Sequence, residues 1–394
     1  MSQHPEEGES SVNDETRAIE EVINAFMYYG KFGTEKILKT IQQMKLFSSS
    51  IDMISFFRNY PQDFQILVVN KNKEFVESMK QRIEHNHSIL KMIANSASGM
   101  IGENHTKAFR IHQARRPTGE FLSKVLSTIR QICREWSSEG LPEREATFKP
   151  IIEELNSIFP TETERHNIRI LVPGCGLGRL AHDLIEQGYT VQGNEFSYFM
   201  LFTSFFILNC CKEVDTFFEK PRVNFLFQVD QFTIYPYLFD KSNCWKSEDR
   251  LRGVTFPDKT LISSVTNRPN SFSMCAGDFL EIVKDTQFDA IVTAWFIDTA
   301  NDIFKYIDAI YDALPENGIW INVGPLTWHF EDIAGEMSIE LPYSDIMLRI
   351  RQKGFEIVSE KEIDSKYTVN RLSMLQNQFN CAYFYARKGG QKPQ

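Results

Sequence analysis

The residues best placed to do chemistry begin with a glycine loop. Val172-Pro173-Gly174-Cys175-Gly176-Leu177-Gly178-Arg179-Leu180 sets three alternate glycines between an apolar run and a helical pattern. Glycine admits positive φ and leaves no side chain between backbone and ligand. Such a loop lets a nucleotide-like ligand lie against main-chain N–H groups at a helix start, although a structural turn would also explain three glycines. Glu195 closes the next strand candidate, twenty-one residues after Gly174, where doubly wound folds place a carboxylate for ribose hydroxyls. The spacing is GxGxG, not the GxGxxG that brings backbone up to a pyrophosphate. A ligand with a ribose and no phosphate fits this pair, and S-adenosylmethionine is one. Asp278, with Phe279 beside it, suits either an adenine contact or the cap of a helix start.

A second group follows two later strands. Trp295-Phe296-Ile297-Asp298-Thr299-Ala300 and Gly324-Pro325-Leu326-Thr327-Trp328-His329-Phe330 both lie at the carboxyl ends of strand candidates, the edge at which open α/β sheets hold ligands. Asp298 and His329 are therefore expected near one another. Asp298 suits a helix N-cap or an acceptor contact; His329, between aromatics, suits a structural group or an acceptor contact. Tyr367 sits in a late loop, either over the pocket or packed. Glu84-His85-Asn86-His87 is metal-like only on the surface, because histidines two apart on a helix face different ways. Glu331, Glu336 and Glu340 read as a solvated helix face. Neither a serine nucleophile elbow nor a P-loop is present.

The elements that must position these groups come in two grammars. Residues 1–14 are polar and acidic and read as a disordered tail. Residues 15–145 are mainly helical: Ile19, Val22, Ile23 and Phe26 recur at helix spacing, as do Val125, Ile129, Ile132 and Trp136. Tyr28-Tyr29-Gly30 and residues 99–103 read as breaks. A further helix covers 148–158. From 146 the pattern becomes α/β with a largely parallel sheet, with strands expected at 168–172, 190–193, 288–294, 319–323, 355–358 and 382–386. Residues 212–270, with four prolines, read as an insertion that could cover the site.

Composition narrows the class. The 394 residues carry 43 Lys and Arg against 52 Asp and Glu, a net charge of −9, which argues against sequence-independent nucleic-acid binding. Seven scattered cysteines without a CxxC pair point to reduced thiols and a cytosolic or nuclear home. No apolar run approaches a membrane span, and the first residues lack the order of a signal peptide.

Taken together, the stretches LVPGCGLGRLA, QGNEFSYFMLF, FSMCAGDF, FIDTA, GIWINVGPL, HFE and YTVN resemble the carnosine N-methyltransferase family, as do Ile23-Asn24-Ala25-Phe26 and Arg134-Glu135-Trp136. The resemblance implies a class I, Rossmann-like methyltransferase fold with a seven-stranded, largely parallel sheet, a helical N-terminal region and an inserted segment. It implies S-adenosylmethionine as cofactor, held by Gln131, Arg134, Gly174, Gly176, Gly178, Glu195, Asp278, Phe279 and Trp295. It places Asp298, His329 and Tyr367 around the acceptor as catalytic and binding residues, with Phe379 as a further acceptor contact. Phe379 stands where the pattern has a substrate-contacting tyrosine, Asn377 replaces another, and Trp295 takes a place that can be a cysteine. The implied partner is a small or short-peptide substrate containing histidine, with room for a homodimer and none for nucleic acid or a membrane; no metal is implied. Histidine in other peptides or proteins, a non-catalytic binding module, and a nicotinamide-dependent oxidoreductase are the competing readings, the last disfavoured by GxGxG.

Overall fold

The computed structural model of the protein describes residues 7–49, 62–101, 114–210, 229–261 and 269–389. The stripe of Ile19, Val22, Ile23 and Phe26 is buried and forms the inner face of a long helix, α1 (Glu7–Ser49). This helix opens inside the stretch expected to be a disordered tail. Once an apolar stripe has nucleated a helix, adding residues to its end is nearly free. It also runs straight through Tyr28-Tyr29-Gly30, where a break was expected. A Cβ at Gly30 would meet His87 Nδ1 at 2.3 Å, and one at Gly33 would meet Ile83 Cγ2 at 2.4 Å. These glycines let α2 (Gln62–Ser96) approach closely and do not turn the chain. The two histidines of α2 are satisfied by carbonyls, His85 through Thr233 O and His87 through Met27 O, each at 2.9 Å.

By internal contacts the chain divides into two compact units. The first comprises Met1–Cys133, Phe205–Asp258 and Asn370–Gln376, and the second Arg134–Ser204, Lys259–Val369 and Asn377–Gln394. Helix α3 (Gly119–Trp136) therefore contributes to both. The stretch read as an insertion at 212–270 is shared out between the units, and its residues 212–228 and 262–268 lie outside the described residues. Within the first unit, a short antiparallel ribbon joins Phe232–Ile234 to Val254–Phe256. No helix among the described residues is long and apolar enough to cross a membrane.

The second unit holds the sheet. After α4 (Leu141–Ile158) come β1 (Arg169–Pro173), α5 (Arg179–Glu186), β2 (Thr190–Glu195), α6 (Tyr198–Phe205), β3 (Phe272–Ala276), α7 (Phe279–Ile282), β4 (Ala290–Ala294), α8 (Ile303–Ala313), β5 (Ile319–Gly324), α9 (Tyr343–Lys353), β6 (Phe355–Ser365) and β7 (Phe379–Lys388). The seven strands lie in the order β3-β2-β1-β4-β5-β7-β6. All pairs are parallel except those of β7, which runs antiparallel to both β5 and β6. This is the class I methyltransferase arrangement the resemblance implied.

Strands buried on both faces read as unbroken apolar runs, and both faces are covered here. Phe148, Ile151 and Leu155 of α4, with Leu180 and Leu184 of α5, pack on one face of the sheet. Ile303, Ile307 and Ile310 of α8, with Ile346 and Ile350 of α9, pack on the other. Between β2 and β4 the strand order reverses around β1, so the carboxyl ends of β1, β2, β4 and β5 form the ligand edge.

Candidate active site

The loop after β1 is built differently from the expectation. Gly174, Gly176 and Gly178 have φ of +60°, +57° and +82°, values that side-chain-bearing residues adopt only with strain. The backbone amides that were expected to face a ligand are already taken by protein. Cys175 N–H donates to Asn194 O (3.0 Å), Gly176 N–H to Glu195 Oε2 (2.9 Å), Leu177 N–H to Glu135 Oε2 (3.1 Å), Gly178 N–H to Cys175 O (2.9 Å) and Arg179 N–H to Glu135 Oε2 (3.3 Å). Two buried carboxylates thus clamp the loop from its two ends. The glycines also make room for them: a Cβ at Gly176 would lie 2.6 Å from Glu135 Oε1, and one at Gly174 would lie 2.5 Å from the Phe296 ring.

Glu195 ends β2 as expected, and its other oxygen accepts from Phe196 N–H (2.9 Å) and Ser197 N–H (2.8 Å). Burial pushes its carboxyl up to about 7, against the pull of the three backbone donors and with a further push from the Glu135 charge. Glu135 is raised as well, chiefly by burial, while Arg134 and the loop amides act in the opposite sense. Immediately after Glu195 stands Phe196, whose side chain is unusually free for an aromatic at 75% exposure.

Asp278 caps α7, accepting from Leu280 N–H at 2.8 Å. Phe279 is buried, with its ring 5.2 Å from Phe296 and 4.9 Å from Tyr306. Gln131 is buried on α3 within the first unit, one turn before Arg134.

Arg134 opens the second unit and is only 5% exposed. Its guanidinium lies 4.7 Å from the Tyr367 ring, 5.2 Å from Phe148 and 6.0 Å from Trp295. Trp295, at the end of β4, has φ +56°, a conformation that costs a non-glycine residue on the order of 1–3 kcal/mol. Its amide donates to Val323 O (2.8 Å), and Gly324 leaves space for its backbone. The Trp295 ring lies tilted by 42° against Tyr367 at 4.7 Å and meets Phe379 edge-on at 5.2 Å. Arg134, Trp295, Tyr367 and Phe379 therefore form one cationic–aromatic group.

Asp298 sits three residues past Trp295 in a 3-10 turn (Ile297–Thr299) and is 2% exposed. It does not cap a helix. Its Oδ2 accepts from both the amide (2.9 Å) and hydroxyl (2.7 Å) of Thr327, and its carbonyl accepts from His329 N–H (3.0 Å). The expected neighbourhood of Asp298 and His329 is thus real and runs through the backbone, while the His329 side chain is exposed. Glu331, Glu336 and Glu340 are exposed, but in a turn-rich loop and not on a helix.

A family model described as carnosine N-methyltransferase matches residues 111–390. The chain belongs to the carnosine N-methyltransferase family. It is 40% identical to the carnosine N-methyltransferase of Rattus norvegicus over 372 residues, which cover 93% of this chain and 85% of that one. It is 35% identical to the carnosine N-methyltransferase of Schizosaccharomyces pombe over 391 residues, 95% of this chain and 96% of that one. A third relative, carnosine N-methyltransferase unmet of Drosophila melanogaster, is 31% identical over 398 residues, 95% of this chain and 80% of that one.

As a member of the carnosine N-methyltransferase family, the protein is an N-methyltransferase that uses S-adenosylmethionine. The residues present fit that group. Nε and Nη2 of the buried Arg134 hydrogen-bond to no acceptor among the described residues, though Glu143 Oε2 lies 3.3 Å from Nε. Beside Glu143 and Glu135, whose oxygens lie 3.3 Å from its Nε and 3.9 Å from its Nη1, the guanidinium keeps donors that suit a further carboxylate, such as that of the cofactor's methionine end. A phosphate, by contrast, would find the amides of residues 175–179 engaged. Sequence reasoning gave no role to Glu135, Glu143 or Phe196; only Phe196 had a signal, its place directly after Glu195.

Proposed function

We propose that the protein transfers the methyl group of S-adenosylmethionine to an imidazole nitrogen of carnosine, the ring nitrogen nearer the side-chain attachment, giving anserine and S-adenosylhomocysteine. The observation that carries this reading is the buried Asp298 carboxylate, fixed by Thr327 at the sheet edge three residues beyond the Arg134–Trp295–Tyr367–Phe379 group. When bound, the cofactor supplies an electrophilic methyl on a sulfonium that is already a good leaving group, so the protein's task is positioning and desolvation.

Arg134 binds the methionine carboxylate, Glu195 accepts from the ribose hydroxyls, and Asp278, Phe279 and Phe196 bound the adenine. Asp298, His329, Tyr367 and Phe379 line the acceptor side. A neutral imidazole has one unprotonated nitrogen, and its ordinary pKa of about 6.5 leaves it largely neutral near pH 7. Asp298 orients the acceptor through a charge-assisted contact with its ring N–H or its ammonium, which selects the tautomer that attacks. Phe379, without the hydroxyl of a tyrosine, contributes ring packing and no hydrogen bond.

The exposed His329 and the 36% exposed Tyr367 favour a second reading, in which the histidine belongs to a longer peptide. One experiment separates the two: incubation with labelled S-adenosylmethionine and either carnosine or histidine-bearing peptides, followed by assignment of the methylated nitrogen. Label on carnosine is the expected result. Label on peptides alone would replace carnosine by the second reading, and label on neither would end both.

A further inference from the structure

Glu143 touches both halves of the site and has no role in the account above. It stands in the first turn of α4, just after Leu141-Pro142, where a carboxylate ordinarily faces the amides of its own helix. Here it is buried and turned elsewhere. Oε2 accepts from Thr368 N–H at 2.9 Å and Oε1 from Val369 N–H at 3.0 Å, across more than two hundred residues of sequence. The turn it holds begins at Tyr367. Thr368 has φ +49°, a region in which a β-branched residue persists only when its surroundings impose it. The bidentate carboxylate is such a constraint. The same Oε2 lies 3.3 Å from Arg134 Nε, and the Arg134 guanidinium lies against the Tyr367 ring at 4.7 Å. Arg144 steadies the arrangement from behind, donating from Nη1 to Arg134 O (2.7 Å) and Ser137 O (2.8 Å).

We propose that Glu143 is a positioning residue that couples the donor end of the site, at Arg134, to the acceptor end, at Tyr367. One carboxylate is shared between a guanidinium with spare donors and two consecutive amides. When the methionine carboxylate reaches Arg134, two anions compete for one cation, and Glu143 gives up its share of the guanidinium and is left to the Thr368 and Val369 amides it already holds. Donor binding thereby tightens the Tyr367 turn before an acceptor arrives. By linkage, an acceptor that needs the tightened turn raises donor affinity by the same factor. The inference rests on Arg134 as the contact for the cofactor's carboxylate, and not on the identity of the acceptor.

The test is amide hydrogen exchange of the full-length protein, read on a peptide spanning Thr368 and Val369, with and without S-adenosylhomocysteine and with no acceptor present. In the wild type, saturating S-adenosylhomocysteine should slow exchange at these amides by about tenfold, within the usual range of coupling between sites. Glu143→Gln should keep measurable S-adenosylhomocysteine binding in calorimetry but lose the ligand-dependent slowing. A residue that only stabilises the fold would alter exchange equally with and without ligand. If the glutamine variant does not fold, Glu143→Asp takes its place, because it keeps the charge and shortens the arm that spans both amides. A wild type whose Thr368 and Val369 amides ignore the ligand, or a folded variant that keeps the full slowing, would overturn the proposal. Carnosine is absent, so a failed acceptor assignment leaves this result untouched. Failure of S-adenosylhomocysteine to bind the wild type would remove the cofactor contact and the coupling together.

Discussion

The two sides of the site are built on opposite plans. On the side of the glycine loop, five consecutive amides are tied to protein, mostly by the buried carboxylates of Glu135 and Glu195, and little is left to settle when a ligand arrives. On the other side, the side chains of Tyr367 and His329 are exposed, with Tyr367 in a tilted contact with the Trp295 ring and His329 tied by its amide to the Asp298 carbonyl. The donor side is closed up by protein hydrogen bonds, and the acceptor side leaves two of its side chains open to solvent. This division suits a two-substrate enzyme in which one partner is constant, so that rigidity there saves the ordering cost of binding, while the second surface adapts to a flexible dipeptide.

The strongest way to break this contrast is Glu135→Ala. It orphans the Leu177 and Arg179 amides in a buried site and strips Arg134 of a nearby anion, so folding stability should fall by about 3–5 kcal/mol. Thermal melting should show the loss, and calorimetry should find S-adenosylhomocysteine binding abolished. A melting temperature near that of the wild type would mean that the loop does not depend on its clamp.

Next in size, Asp298→Ala frees the Thr327 amide and hydroxyl, while the main-chain bond from His329 N–H to residue 298 stays. The loss of a charged hydrogen-bond acceptor, about 1.5–3 kcal/mol, should lower kcat/KM for carnosine by roughly 10- to 100-fold, with S-adenosylhomocysteine affinity unchanged. Carnosine turnover at the wild-type level in the folded variant would remove Asp298 from the acceptor side.

The pH dependence of cofactor binding sharpens the comparison. Burial raises Glu195 to about 7 from an ordinary 4.5. Between those values the folded chain holds a proton that the unfolded chain has lost, so this group's contribution to stability declines as pH rises from about 4.5 to 7 and is level above. Affinity runs the other way, because only the ionised carboxylate accepts from both ribose hydroxyls. S-adenosylhomocysteine should bind about tenfold more tightly at pH 8 than at pH 6, and Glu195→Gln should flatten that slope. A wild-type affinity constant across this range would contradict the assignment.

The smallest effect is expected for Phe196→Ala. The ring is already in solvent, so folding should be unaffected, while S-adenosylhomocysteine affinity should weaken by about 1 kcal/mol if the ring packs on the adenine. Equal affinity in both proteins would return Phe196 to the category of incidental surface aromatics.

Six of the seven strands of the second unit were legible, most of them because sheet-buried strands announce themselves as apolar runs, and Gly174 and Glu195 because they follow or end such strands; β3 (Phe272–Ala276), before Asp278, is only partly buried and was not among the expected strands. Asp298 and His329 were placed together by the same logic of strand ends. What the loop amides bind was not legible. Glu135 and Glu143 look, in sequence, like any acids of amphipathic helices, and their partners at Leu177 and at Thr368 are set by tertiary packing alone. Gly30 misled in the opposite direction: a glycine that admits a neighbouring helix looks the same in sequence as one that ends a helix. Trp295 gave no hint of its positive φ, which follows from the meeting of β4 with Gly324.

The saturated loop also has a bearing on life in a crowded metabolite pool. ATP and NAD share the adenosine half of the donor and are commonly far more abundant, so an ordinary amide-lined loop would be exposed to them as competitors. Here the amides of residues 175–179 are already filled by protein acceptors, so a pyrophosphate finds no free main-chain donors in the loop. The enzyme should therefore keep its activity in millimolar nucleotide.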